Sequence, residues 1–371
     1  MYSVVFPCKD EEATIGICID KAREALKGED YEIIVVDNNS RDGSARIARS
    51  KRVRVILERE QGYGAALKKG FGEAKGSHII MCDADDTYDL NEIPRLLRYK
   101  DSDIVIGNRL NSRMEKDAMP FLHKSIGNPL LSLILRKFFR IPVKDAHCGL
   151  RIIKKQALLR MNLSSNGMEI ASEMLMQASR LKLKVRQVDI SYSKRKGNSK
   201  LRSLQDGWKH LRLMLLYSPD HLFLIPGLLL TVIGLVILVA MLFAPITLFG
   251  FDFYLHPIFL GSLLTIIGYQ VIILWLFSKT YMHHYLGYKQ KALEGTRFLS
   301  LERGILAGSI LALLGIAINL VIFISWVSSG FGDLDGIRMT VLGATLIILG
   351  MQTIFSSFHL SIIGIDSGKR M

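Results

Sequence analysis

The chain has 371 residues, a formal net charge of +14 and 49% hydrophobic residues, and its two halves differ in character. No RNA- or DNA-binding motif accompanies the positive charge, so anionic lipid headgroups and phosphorylated substrates are the expected partners, and nucleic acid is not. Cys8, Cys18, Cys82 and Cys148 show no CxxC or metal spacing, which speaks against a cysteine metal site and fits a reducing compartment.

The opening "MYSVVFPCKDEE" has neither a basic n-region nor a cleavage site, so no signal peptide is expected. A βα rhythm then runs for about 110 residues. The segments "YSVVFP", "YEIIVVD", "VRVIL", "HIIMCD" and "DIVIGN" read as buried parallel strands. Helical patterns separate them at Ala13–Leu26, Ser44–Ala48, Tyr63–Ala74 and Asn91–Arg98. That alternation predicts an α/β fold built on a doubly wound sheet. Polar groups follow three of the strand ends: Asp10-Glu11-Glu12, Asp37-Asn38-Asn39, and Asp83, Asp85, Asp86 and Asp89. Ligands of open α/β sheets bind at the carboxyl ends of strands, so a nucleotide crevice is expected there. The aspartate cluster fits a hard divalent cation or a solvated turn, and the residues alone leave both open.

Gly62-x-Gly64 after a strand suggests a dinucleotide fingerprint, but Leu67 stands at the third glycine position and no ribose-binding acid follows. These glycines let the backbone approach a ligand or start a helix tightly. Further on, "LRSLQDGWKHLRLMLLYSP" puts Leu201, Leu204, Trp208, Leu211 and Leu215 on one broad face. It predicts an interfacial helix, with packing on the preceding domain as the competing use.

Four apolar runs close the chain, at about residues 222–243, 254–278, 305–327 and 339–364. Each can cross ~30 Å of hydrocarbon as a helix. Lys279, Lys289, Lys291, Arg297 and Arg303 follow the second run, and Lys369 and Arg370 lie in the tail. The other two connections hold only Arg338, so a multi-pass protein of the cell membrane is expected, with its N-terminal domain cytoplasmic. The expected domains are 1–200, a juxtamembrane helix at 201–220, and a membrane domain at 221–371.

The segments "VVFPCKDEEATI", "IIVVDNNSRDGS", "QGYGAALKKGF", "DADDTYD", "GNR", "DAHCGLRIIKK", "GMEIASEML" and "SKRKGNSKL" occur in this order. Together they resemble a family 2 glycosyltransferase of GT-A fold, of the polyprenyl-phosphate (dolichyl-phosphate) mannose or glucose synthase type. The resemblance spans about residues 3–202; beyond that, only the hydropathy resembles the appended membrane domain of some members. It implies a GT-A Rossmann-like sheet, a nucleotide-sugar donor, a polyprenyl or dolichyl phosphate acceptor, Mg²⁺ or Mn²⁺, and one inverting displacement.

By the same resemblance, Asp83 and Asp85 hold the cation on the donor diphosphate. Thr87, where mannose synthases often carry Gln, completes the expected metal set and tilts the donor toward UDP-glucose over GDP-mannose. Asp86 and Asp89 are either solvated or orient those ligands. Pro7, Asp10 and Glu11 match the base and ribose segment, with Asp37 at the base. Arg195, Ser199 and Lys200 match the basic loop that closes over the diphosphate. Arg109 matches the acceptor-phosphate contact, joined by His123 and Lys124. Asp85, Arg109, Arg195 and Lys200 are therefore the expected catalytic set. Arg151 is either a third phosphate contact or a structural ion-pair partner of Asp145, the structural role being the one expected. Glu169 and Glu173 either line the sugar pocket or are ordinary helix-surface acids. A processive polysaccharide synthase would carry QxxRW, which "QDGWKH" does not supply. A non-catalytic lipid-handling protein would not need intact Asp83, Asp85, Arg195 and Lys200.

Overall fold

A computed structural model describes residues 1–111, 113–196, 203–243, 246–248, 251–253, 255–288, 300–332 and 336–365. The chain forms two compact units, Met1–Tyr217 and Ser218–Met371.

Among the described residues, the first unit has seven strands: β1 (Tyr2–Cys8), β2 (Tyr31–Asp37), β3 (Arg54–Leu57), β4 (His78–Met81), β5 (Ile104–Asn108), β6 (Arg151–Lys154) and β7 (Val185–Asp189). Their order in the sheet is β3-β2-β1-β4-β6-β5-β7. All five strands expected from the sequence form, but the sheet is mixed where a parallel one was expected. β6 runs antiparallel to both β4 and β5. The reason is the path of the chain, which re-enters the sheet from the edge at which β5 left it. Arg151 consequently pairs with Met81 on one side and with Ile106 on the other.

Side chains alternate across the strands, as the period of two requires. Val4, Phe6, Val35, Ile80, Val105 and Ile152 face one core. That side is covered by α1 (Ile15–Ala25), α4 (Ile93–Leu97) and α5 (Asn128–Phe139). Val5, Ile34, Val36, Ile79, Met81, Ile104 and Ile153 face the other, under α3 (Tyr63–Glu73), α6 (Lys155–Met161) and α7 (Ile170–Arg180). The short α2 (Ser44–Ser50) lies against α1. The strand residues that face the two cores are mostly apolar, so burial fixes the sheet centre and many polar residues collect at its ends.

The juxtamembrane segment forms α8 (Ser203–Leu216). It packs on α5 and α7 with His210 and Met214 buried and Leu213 and Tyr217 partly so. Leu204 and Trp208 stay 82% and 59% exposed. The helix therefore has two apolar faces, one of them unused by the unit that carries it. Buried between α8 and the sheet, Ser172 Oγ lies 3.1 Å from His147 Nε2 and 2.8 Å from His210 Nδ1.

Burial lowers the His210 pKa to about 4 from 6.5 and lowers that of His147 well below its ordinary value. The unfolded chain thus takes up a proton near 6.5 and the folded chain near 4. Stability linked to His210 is full above pH 6.5 and falls as pH drops toward 4, by about 3 kcal/mol in total. Unfolding midpoints measured between pH 4.5 and 7 should therefore decline more steeply for the wild type than for His210→Gln.

Among the described residues of the second unit, four helices are long and apolar enough to span a membrane: Asp220–Phe243, His256–His284, Leu301–Ser328 and Ile337–Gly364. They contain the four expected runs almost entirely and extend them at most ends. Their contacts are close where glycines sit. A Cβ on Gly234 would meet Thr265 N at 2.5 Å, and one on Gly350 would meet Gly308 O at 2.5 Å. Such small residues let apolar helices pack by backbone approach. Lys279, near the end of the second span, donates to Asp220 at 2.7 Å, and Trp275 Nε1 donates to the same carboxylate at 2.7 Å.

Candidate active site

The carboxyl ends of β1, β2, β4 and β5 lie at one edge of the sheet. The reversed β6 adds the segment before it, residues 145–150, to that same edge. Pro7 lies in β1, beyond the last residue paired with β4, so its missing N–H leaves that ladder intact. Asp10 and Glu11 follow, stitched to the segment after β2. Asp10 Oδ1 accepts from Arg41 N at 2.7 Å, and Glu11 N donates to Ser44 Oγ at 2.7 Å. Asp37 is buried and accepts from Ser40 N at 3.1 Å.

Gly62 and Gly64 make room for protein backbone. A Cβ on Gly62 (φ +149°) would meet Asn166 O at 2.1 Å, and one on Gly64 would meet Ser165 O at 2.4 Å. Asn166 O accepts from Gly64 N at 2.8 Å, which closes the start of α3. The tight-start reading of these glycines is the one the packing supports.

Asp83 is held by Tyr63, whose hydroxyl donates to Oδ1 at 2.6 Å. Its other oxygen rests on Gly149, where an added Cβ would stand 2.4 Å away. Burial and the adjacent Asp85 charge push the Asp83 carboxyl up to about 6, the Tyr63 hydroxyl opposing them. Asp85 Oδ1 accepts from Thr87 Oγ1 at 2.6 Å and from Thr87 N at 3.2 Å. Thr87, the third expected metal position, donates both groups to Asp85 and so orients that carboxylate in the ligand-free site. Arg195 donates to Asp85 Oδ2 at 2.9 Å with one terminal nitrogen and to Glu11 with the other. The Arg195 Nε is buried and has no hydrogen-bond partner among the described residues.

Neither Asp86 nor Asp89 is merely solvated. Asp89 accepts from Asn91 N at 3.1 Å and begins the turn Leu90–Glu92. Asp86, at φ +57°, takes Lys21 and Lys196, each at 2.6 Å. Burial works against its charge, yet the two ammonium groups hold the carboxyl below its usual range.

Arg109 is 7% exposed and forms a two-pronged pair with Asp145, Nε to Oδ2 at 2.8 Å and NH2 to Oδ1 at 2.9 Å. Its guanidinium also stands 5.2 Å from the Tyr192 ring centre. Burial opposes the Asp145 charge, but Arg109 keeps that carboxyl below its usual range. Asp145 was expected to pair with Arg151. Arg151 instead donates to the carbonyls of Ala146 (2.8 Å), Cys148 (2.9 Å) and Ala171 (3.0 Å), so its structural role stands but the partner changes. Glu173 is fully buried and accepts from Ser164 and Ser165, which makes it a brace for that loop. Glu169 differs, since its Oε2 is buried without a partner among the described residues.

His123 and Lys124 lie in the π-helical segment Leu122–Gly127, between exposed Phe121 (76%) and Ile126 (50%), and among the described residues the polar partners of Arg109 are Asp145 and Tyr88 instead. Ser199 and Lys200 lie outside the described residues. Tyr63, Gly149, Lys21 and Lys196 had not been singled out from the sequence. Of these only Lys196 carried a signal, its place beside Arg195.

Among the described residues no three His, Cys, Asp or Glu side chains form a closed metal cage. The fit is to an open site. Two crowded carboxylates, one with a raised pKa, favour a hard cation that completes its shell with ligand oxygens and water. Replacing Gly149 with Ala tests this arrangement, because the three atoms nearest an added Cβ all belong to the Asp83 carboxylate, which must move. Divalent-cation affinity should fall, and catalysis roughly a hundredfold, with little change in unfolding temperature.

Comparison with known proteins yields two family matches. Residues 3–161 match glycosyl transferase family 2, and residues 276–364 match the glycosyltransferase family 2 C-terminal transmembrane region. The low-salt glycan biosynthesis hexosyltransferase Agl6 of Haloferax volcanii is 37% identical over 369 residues, covering 98% of this chain and 89% of that protein. A dolichol-phosphate mannosyltransferase of Pyrococcus furiosus is 30% identical over 210 residues, covering 54% of this chain and 59% of that protein. An undecaprenyl-phosphate 4-deoxy-4-formamido-L-arabinose transferase of Aeromonas hydrophila is 31% identical over 172 residues, covering 43% and 50%.

Proposed function

The chain belongs to glycosyltransferase family 2, and from that premise we propose that it moves one hexose from a nucleotide sugar to a polyprenyl or dolichyl phosphate. It is a multi-pass membrane glycosyltransferase with a GT-A sheet. What supports the finer reading is the meeting of Asp83, Asp85 and Arg195 at one sheet edge. Two close carboxylates beside an arginine with a vacant buried N–H suit a diphosphate that arrives with a dication.

Asp83 and Asp85 would hold Mg²⁺ or Mn²⁺. Bound there, the cation offsets the charge that builds on the departing nucleoside diphosphate. Arg195 leaves Asp85 for a diphosphate oxygen, with Ser199 and Lys200 as further donors. Pro7, Asp10, Glu11 and Asp37 border the base and ribose. Glu169 Oε2 is free to accept from a sugar hydroxyl. The lipid phosphate attacks C1, the bond from C1 to the diphosphate oxygen breaks, and the anomeric carbon inverts. An ionised phosphate needs positioning more than a general base. Arg109, already neutralised by Asp145, contributes orientation and a remaining N–H to that positioning.

The exposed Leu204 and Trp208 of α8, with Phe121, Leu122, Ile126 and Leu130 around His123 and Lys124, support contact with membrane lipids. The bias of basic residues supports a cytoplasmic catalytic unit. The same chemistry is compatible with UDP-glucose or GDP-mannose. A panel of UDP- and GDP-sugars with one polyprenyl phosphate tests the function. One donor should give a lipid-linked monosaccharide, and chelation should stop it. A polymeric product, or sugar release without lipid, would overturn the reading.

A further inference from the structure

Two neighbouring acids hold two neighbouring bases at the end of β4. Asp85 takes Arg195 at 2.9 Å, and Asp86 takes Lys196 at 2.6 Å. The two pairs differ in surroundings. Arg195 lies on the carboxylate proposed to receive the cation, so that pair must open whenever the donor arrives. Asp86 turns the other way. Its left-handed φ of +57° directs the carboxylate to Lys21 on α1, also at 2.6 Å. Its side chain is 2% exposed. A carboxylate so buried between two ammonium groups is costly to unpair. Nothing in donor binding asks it to do so.

We infer that Asp86 is a positioning residue that tethers the basic loop through Lys196, so that Arg195 can change partners from Asp85 to the diphosphate without the loop leaving the site. This rests on the proposed donor site, but the tether itself can be read without it. The loop's own sequence supplies the logic. Adjacent Arg195 and Lys196 pair with separate carboxylates, Asp85 and Asp86, so the first can exchange its partner while the second keeps its own. Lys21 anchors the carboxylate to α1, whose Ile15, Cys18 and Ile19 are fully packed in the core. The tether therefore ends on a rigid element.

The ligand-free full-length protein in detergent provides the first measurement. Lys194 and Lys196 are both exposed, so a lysine acylating reagent reaches each, and peptide mass spectrometry reports their rates side by side. Pairing with Asp86 keeps the Lys196 amine protonated. Lys196 should react several-fold more slowly than Lys194 in the wild type, and as fast as Lys194 in Asp86→Asn. Equal rates in the wild type, or no change in the variant, would overturn the tether whether or not any sugar is transferred.

The second measurement uses the active donor. Asp86→Asn should raise donor KM about tenfold and change kcat less than twofold, leaving acceptor KM unmoved. Lys196→Gln, which alters an exposed side chain and leaves Asp86 paired with Lys21, should do the same even if Asp86→Asn folds poorly. A fall in kcat with a changed divalent-cation requirement would make Asp86 a metal ligand and overturn the inference.

Discussion

Asp85→Asn is expected to lower sugar transfer by roughly a hundred- to a thousandfold, the scale on which a single charge-stabilising group is lost from an active site. Asp85 lies where three demands meet. Its carboxylate is oriented by Thr87, pairs with Arg195, and crowds the Asp83 charge. Removing its charge relieves Asp83, so the Asp83 carboxyl should return toward the ordinary range. The variant should accordingly be as stable as the wild type, or slightly more so. A gain in stability with a loss of function is what a site under electrostatic strain predicts. Transfer assays over a cation series, beside thermal unfolding, check both halves. Full turnover by the variant with Mg²⁺ and Mn²⁺ chelated would remove the metal assignment.

Breaking the pair of Arg109 and Asp145 should have the largest effect on stability. Both groups are buried, the carboxylate completely. Asp145→Ala leaves a buried guanidinium without its paired carboxylate, which costs about 3–5 kcal/mol. For a unit of this size that corresponds to a fall in unfolding temperature of about 6–20 °C. Arg109→Ala should behave alike. The double variant Arg109→Met, Asp145→Leu should recover much of the loss, since no charge is then stranded. If Arg109→Ala instead leaves the unfolding temperature unmoved and weakens only the use of lipid acceptor, Arg109 belongs wholly to ligand binding.

The parts of this architecture legible in the sequence are those written in local periodicity. Runs such as Tyr31–Asp37 alternate into two cores and read directly as strands, and the four apolar helices are unmistakable by length. β6 is not among the expected strands because "RIIK" is only four residues long, too short for a periodicity to stand out. Its direction depends on where the chain returns to the sheet, which no local pattern records. The same gap explains the arginines. Arg151 is nearer to Asp145 in sequence, but Arg109 is nearer in space because β5 and β6 are neighbours. Asp83 and Asp85 could be singled out from strand-end chemistry and the family resemblance. Tyr63 and Gly149, which hold Asp83 in place, come from segments 20 or more residues away and carry no motif of their own.

The reversal of β6 makes Arg151 a common datum for the whole site. It pairs across to Met81, two residues before Asp83, and across to Ile106, three residues before Arg109. Its guanidinium also fixes the carbonyls of Ala146 and Cys148, which lie between Asp145, the partner of Arg109, and Gly149, which abuts Asp83. Distances on the two sides of the crevice are thus measured from a single point and share its errors. A lesion at Arg151 would not appear as a defect in one ligand alone. Donor and acceptor performance would drift together, whereas a lesion at Tyr63 or Asp145 would shift one side against a stationary other.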